Sequence, residues 1–230
     1  MPQPMFVVTE VAPYQHGPAG VHGVLPQAAV AMSELARMAG LEPVTVTDVS
    51  TIDVSDIASA SGAVLGLFTI GETPWTTDQR EAIQSAVGSG RMGVLAVHSA
   101  TDSCLGWDYY GKMVGARFDG HPWTATFQVS VPDTDHPATK NLPKSWKWHD
   151  EVYLFRALRE DARILLELAP DQLDMSVEGA RIPDCGLPLA WCHSEGEGRV
   201  FQTALGHFPS AWESPVYLNF LAGGLEWVVS

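Results

Sequence analysis

Positive charge is scarce in this chain: 13 Lys and Arg stand against 27 Asp and Glu, a formal net charge of -14. Binding a polyanion needs a basic face that releases counterions, so nucleic acid and anionic membrane surfaces are excluded as partners. Solubility accounts for the acidity itself. Cysteine is scarce too: Cys104, Cys185 and Cys192 are an odd set without Cys-x-x-Cys spacing. That excludes a disulfide framework and a structural zinc knot, and the three are expected to be core thiols. No apolar run reaches the roughly 18 residues of a membrane span. Met1-Pro2-Gln3-Pro4 lacks the basic flank and cleavage pattern of a signal peptide. Cytoplasmic residence is the resulting expectation. With no repeat, low-complexity tract or linker, the 230 residues, 46% of them hydrophobic, are read as a single domain over 1–230.

What is present alternates. Short apolar runs at Met5 to Thr9, Val44 to Thr47, Ala63 to Phe68 and Val94 to Val97 read as strands buried on both faces. Between them, Leu25 to Ala39 carries apolar residues at helical spacing and ends at Gly40, and Thr76 with Gln79 forms a capping-box pattern that opens a helix to about Val87. Strand, helix, strand in this order predicts an α/β fold with a doubly wound, mostly parallel, flavodoxin-like sheet. The second half is an irregular, aromatic-rich β elaboration of it. There, Tyr109 to Val114 reads as a short helix. Thr124 to Val131, Glu151 to Ala157, Ile164 to Ala169, Leu187 to His193 and a run ending at His207 read as strands, and Asp171 to Pro183 as a loop. The chain closes on a helix over Pro215 to Val229 with Leu218, Leu221, Leu225 and Val228 on one face, apolar enough to allow a homodimer.

Two strands in this reading end in histidine, His98 and His207. Open α/β sheets bind ligands at the carboxyl ends of their strands, so both imidazoles arrive where chemistry is expected. The segments Ala96 to Asp102, Phe118-Asp119-Gly120-His121-Pro122-Trp123, Asp135-His136-Pro137-Ala138-Thr139, Asp150-Glu151-Val152-Tyr153, Gly198 to Phe201 and Leu205-Gly206-His207 resemble, in order, the ThuA-like (trehalose utilisation) family. That family is similar to the class I glutamine amidotransferases. The position that would hold their nucleophilic cysteine is His98, Cys104 lies six residues beyond it, and His207-Phe208-Pro209-Ser210 keeps the histidine of their His-Pro-Glu motif without its carboxylate. Glutamine hydrolysis is therefore not expected.

The resemblance implies carbohydrate catabolism, with a sugar or glycoside as substrate and a partner dehydrogenase that makes a 3-keto sugar. A keto group acidifies the neighbouring C–H bonds, which suits isomerisation, elimination or hydrolysis by a histidine and a carboxylate. His98, His121, His207 and Glu151 are the expected catalytic residues. The three histidines could also hold zinc or another divalent ion, although none shows His-x-x-x-His spacing. His22, Ser99, Asp102, Trp123 and Tyr153 are expected around the substrate, Trp123 as a platform for a pyranose face.

Each candidate has a plainer explanation. A buried histidine commonly bonds to backbone. Turn chemistry accounts for His136-Pro137, His193 fits shell or core, His16 fits an exposed loop, and His149 has no assigned role. Adjacent strand residues face opposite ways, so only one of Asp150 and Glu151 can enter a site; Glu151 is favoured, with Tyr153 on its face. A non-catalytic sugar- or partner-binding module, and a metal-dependent amide or ester hydrolase, remain as alternatives.

Overall fold

In the computed structural model, which describes residues 2–10 and 23–230, the apolar runs form the centre of a mixed sheet. The first half alternates β1 (Pro4–Val8), α1 (Leu25–Met38), β2 (Glu42–Val46), α2 (Val54–Ser59), β3 (Ala63–Leu67), α3 (Thr77–Gly88) and β4 (Met92–Val97). The second half adds α4 (Asp108–Val114), β5 (Arg117–Phe118), β6 (Trp123–Ser130), β7 (Ser145–Val152) and β8 (Phe155–Arg156). It ends with β9 (Arg163–Leu168), β10 (Pro188–Glu195), β11 (Gly198–Thr203) and α5 (Pro215–Val229). The nine-stranded sheet runs β2-β1-β3-β4-β11-β10-β9-β6-β7. Neighbours from β2 to β11 pair in parallel, and those from β11 to β7 antiparallel.

The composition of each strand explains its place. β3 and β4 are buried at every position, as expected of strands covered on both faces. One face packs under α1 and α5, the other under α2, α3 and α4. Gly93 lets α5 approach β4 closely, since a Cβ there would collide with the Val228 carbonyl. Thr76 and Gln79 make both bonds of the capping box expected for α3. The apolar face of α5 is spent inside the protomer, where Leu221, Leu225 and Val228 are buried.

Two elements differ from the sequence reading in ways that matter for the site, the first being the strand expected to end at His207, which stops at Thr203 and leaves His207 on a loop. The strand expected from Glu151 to Ala157 is instead the end of β7, which begins at Ser145; the backbone leaves the sheet at Tyr153 and pairs briefly with β5 through β8. β6 meets β9 only at Val129 and Ser130, so the β6–β7 hairpin is free to curl and carry Asp150 to the carboxyl end of β11. Cys104 and Cys192 are core thiols, whereas Cys185 is half-buried beside a surface cleft.

Candidate active site

At the end of β4 the chain turns sharply: His98 has φ 49, in the left-handed region that side chains seldom adopt, and opens a short 3-10 turn over His98–Asp102. Its Nδ1 lies 2.6 Å from the Ala204 carbonyl, which can only accept, so Nδ1 carries the hydrogen. In the neutral ring this leaves the Nε2 lone pair to face a cluster. Around Nε2 lie the Tyr153 hydroxyl at 2.8 Å, His207 Nδ1 at 3.3 Å and Glu151 Oε2 at 3.4 Å. His207 Nδ1 is also 3.3 Å from Glu151 Oε2, and His121 Nδ1 is 3.7 Å from Glu151 Oε1.

The loop that delivers His207 is pinned at nearly every polar atom. The carbonyls of Ala204, Leu205 and Gly206 accept from His98, Tyr217 and Trp212, and the Gly206 and His207 N–H groups donate to Asp150. Asp150, fully buried, also accepts from the Trp148 indole and the Glu151 N–H. Facing opposite ways, the two carboxylates divide the work: Glu151 enters the cluster and Asp150 fixes its backbone frame. The sequence reading favours Glu151 and leaves this framing role of Asp150 unassigned.

Charge is strongly coupled here. Burial alone would raise the Glu151 carboxyl, but its contacts with His207 and His98, and the positive charge those rings carry when protonated, outweigh it and hold it well below the usual carboxylate range. Burial opposes the charged form of His207, yet its bond to Glu151 and the charges of Glu151 and Asp150 raise it above the ordinary histidine value. Tyr153 is pushed well above the ordinary phenol range by burial and then by Glu151. Burial raises the Asp102 carboxyl against the opposing charges of His121 and Arg156.

The cluster thus brings together His98, His121, Glu151, Tyr153 and His207. His98 is wholly enclosed, while the His121 side chain is 44% exposed and the His207 side chain 16%. His121 and His207 are therefore the imidazoles a ligand can reach, and His98 works from behind them. Asp102 sits at the rim. Ser99 is buried under the turn with its hydroxyl unpartnered, so it does not line the rim as expected for a substrate contact. Trp123 is a correction as well: it lies in the core at 4% exposure with its indole N–H on the Asp174 carbonyl, because the buried face of β6 is the one carrying Trp123, Phe127 and Val129. His16 and His22 lie outside the described residues. His136 and His193 are buried on backbone partners, His136 accepting from the Ala138 N–H and His193 meeting the Met113 carbonyl.

Comparison with known proteins is decisive at the level of family. The sequence matches the family described as ThuA, trehalose utilisation, over residues 11–228. This chain belongs to the ThuA family. A ThuA-like protein from Bacteroides uniformis superposes with a TM-score of 0.77 at 21% identity, over 99% of this chain and 91% of that one. Another from Parabacteroides merdae gives 0.76 at 17% identity, over 100% and 91%. A GMP synthase protein from Thermoplasma acidophilum gives 0.50 at 13% identity, over 96% and 95%, in keeping with an amidotransferase-like fold. No curated protein matches the sequence. In this ThuA chain the turn that would present a nucleophile presents His98, and Cys104 is buried against Thr73 with its thiol pushed up by burial. No helix among the described residues is long and apolar enough to cross a membrane.

Proposed function

We propose that this protein is a carbohydrate-processing enzyme that acts on an oxidised sugar or glycoside at a centre formed by His98, Glu151 and His207, with His121 as its solvent-facing proton-transfer group. The observation that carries this reading is the triangle of donor atoms. His98 Nε2, His207 Nδ1 and Glu151 Oε2 are mutually 3.3 to 3.4 Å apart. Ligands about 2.0–2.1 Å from a tetrahedral ion are separated by about 3.3–3.4 Å, so the set fits zinc or a similar divalent cation with one position left open. The Ala204 carbonyl supplies the outer partner that fixes the His98 tautomer for such a role. When bound, a cation there would act as a Lewis acid toward a carbonyl oxygen.

The chain's own groups do the rest. Glu151 faces His121 Nδ1 and favours a proton on that atom, which leaves Nε2 able to accept one. Beside a keto group the C–H bond breaks, its proton passes to His121 Nε2 and its electron pair moves toward the carbonyl oxygen. Return of the proton at another carbon isomerises the sugar; alternatively the electron pair returns to form a C=C bond, the glycosidic C–O bond on the next carbon breaks, and the leaving oxygen takes the proton held by His121. Two histidines and a glutamate also serve metal-dependent amide and ester hydrolases; membership of a trehalose-utilisation family favours sugars.

The test has two arms. Protein purified without added metal or a metal-binding tag should contain a stoichiometric divalent ion that is lost when His98 and His207 are both replaced by alanine. In deuterated water, a 3-keto glycoside should exchange its C–H protons beside the carbonyl with the native protein and not with His121→Ala. A metal-free protein that leaves keto sugars unexchanged would overturn the proposal.

A further inference from the structure

A cleft of about 330 Å³ opens where β7, at the edge of the sheet, faces the 3-10 turn Pro209–Glu213 that leads into α5. Its lining is Thr126, Lys147, Trp148, His149, Ser210 and Ser214. None of these belongs to the cluster around His98. Strand alternation builds one wall: Lys147 and His149 stand on the same face of β7, and Thr126 of β6 is paired directly with His149. Phe208 packs on His149 with ring centroids 5.1 Å apart and on His207 at 4.7 Å, so the cleft is a neighbour of the reaction centre and not a part of it.

The charge of the lining runs against that of the chain. Acids outnumber bases 27 to 13 overall, yet the cleft gathers a lysine, a histidine and the hydroxyls of Thr126, Ser210 and Ser214 without a carboxylate. The adjacent acid, Asp150, points the other way and spends its oxygens on the Trp148 indole and the N–H groups of Glu151, Gly206 and His207. Lys147 makes no ion pair among the described residues. The Ser214 hydroxyl accepts from the Tyr217 N–H, so its hydrogen is free to be given. Thr126 Oγ1 and His149 Nδ1 lie 3.0 Å apart; with the hydroxyl donating, the ring hydrogen stands on Nε2. A lysine ammonium can only donate and hydroxyls can turn to donate, so the set complements an anion that only accepts. A lone lysine on an edge strand also guards against strand pairing, but that role requires neither a cleft nor hydroxyls gathered around it.

We propose that this cleft binds a phosphate group, free or as the monoester of a small molecule, through Lys147, His149 and the hydroxyls of Thr126, Ser210 and Ser214. Its volume, at the lower end of the range of about 300–1,000 Å³ typical of small-molecule pockets, holds the anion with a small organic group beside it. The inference is independent of the chemistry assigned to His98, Glu151 and His207.

Equilibrium dialysis of the protein against radiolabelled inorganic phosphate tests it, in sodium chloride at about 0.15 M so that distant charges are screened. A single phosphate should bind saturably to each chain. Lys147→Ala should weaken binding about tenfold or more, His149→Ala should weaken it several-fold, and Lys147→Arg should restore most of what alanine loses. Lys144→Ala removes an exposed lysine of the same segment that lies outside the lining, and it should leave binding unchanged. Both lysines and His149 are exposed, so these variants keep the fold. Competition by glucose 6-phosphate reads the source of the group: displacement at a tenth of the concentration of inorganic phosphate or less assigns the site to an ester, and weaker displacement assigns it to the free anion. Absence of saturable binding, equal losses in Lys144→Ala and Lys147→Ala, or native binding in both Lys147→Ala and His149→Ala would overturn the inference.

Discussion

His98 and His207 differ from His136 and His193 in one respect that decides what each pair can do. Two of the four, His98 and His136, are fully buried, His193 nearly so, and each of these three bonds to the main chain. Only the first pair meets a carboxylate, Glu151, placed between the two rings. Burial, helped by the nearby charges of Arg163 and Arg159, pushes His136 and His193 down to about 4 against the weaker pull of more distant acids, each ring a neutral part of the core. Beside Glu151, His207 moves the other way. Burial alone makes a histidine inert, and a shared acid makes it useful.

The largest effect that would break this contrast comes from the acid itself. Glu151→Gln should lower kcat on a keto sugar by about 10²–10⁴-fold per folded molecule. Next, His207→Ala should lose activity on a similar scale. His136→Ala should keep full activity per folded molecule and lose about 1–3 kcal/mol of stability, because the Ala138 N–H is left without its acceptor. Equal activity losses in the two variants would erase the distinction.

A pH titration of stability sharpens the contrast further. His136 and His193 take up protons more readily when unfolded, near 6.5, than when folded, near 4. Their contribution is fully present above about pH 6.5 and lost as pH falls toward 4, at most about 3 kcal/mol for each. Denaturant melts between pH 7 and 4 should show this slope, and His136→Asn with His193→Asn should flatten it. The smallest effect is expected of Trp123→Phe: about 1 kcal/mol of stability with the Asp174 bond, and no change in turnover.

Much of the frame was legible because β1, β3 and β4 are local apolar runs and Thr76 with Gln79 is a local cap. The strand-end position of His98 follows from the same periodicity, whereas β11 stops at Thr203 and a pinned loop carries the chain on to His207. Glu151 was legible as a candidate only through the family motif, since the curl of β6 and β7 that brings it to His98 is a long-range event with no local signature. The role of Asp150 was not legible, because a buried acid looks like any acid until its donors, Gly206 and His207, are folded onto it. Trp123 misled for the opposite reason: a tryptophan beside His121-Pro122 looks like a sugar platform, yet strand alternation turns it into the core. The bond from Arg181 to Asp119 was invisible, because Arg181 belongs to a segment without periodicity and reaches Asp119 from 62 residues away.

The most direct test of the central claim is the turnover of a 3-keto glycoside by native protein, Glu151→Gln and His136→Ala, each matched for folded fraction. Loss of about a hundredfold or more in Glu151→Gln, with His136→Ala at native rate, is the predicted result. A Glu151→Gln variant that turns over as the native protein does would show that the cluster around His98 is not where the chemistry happens.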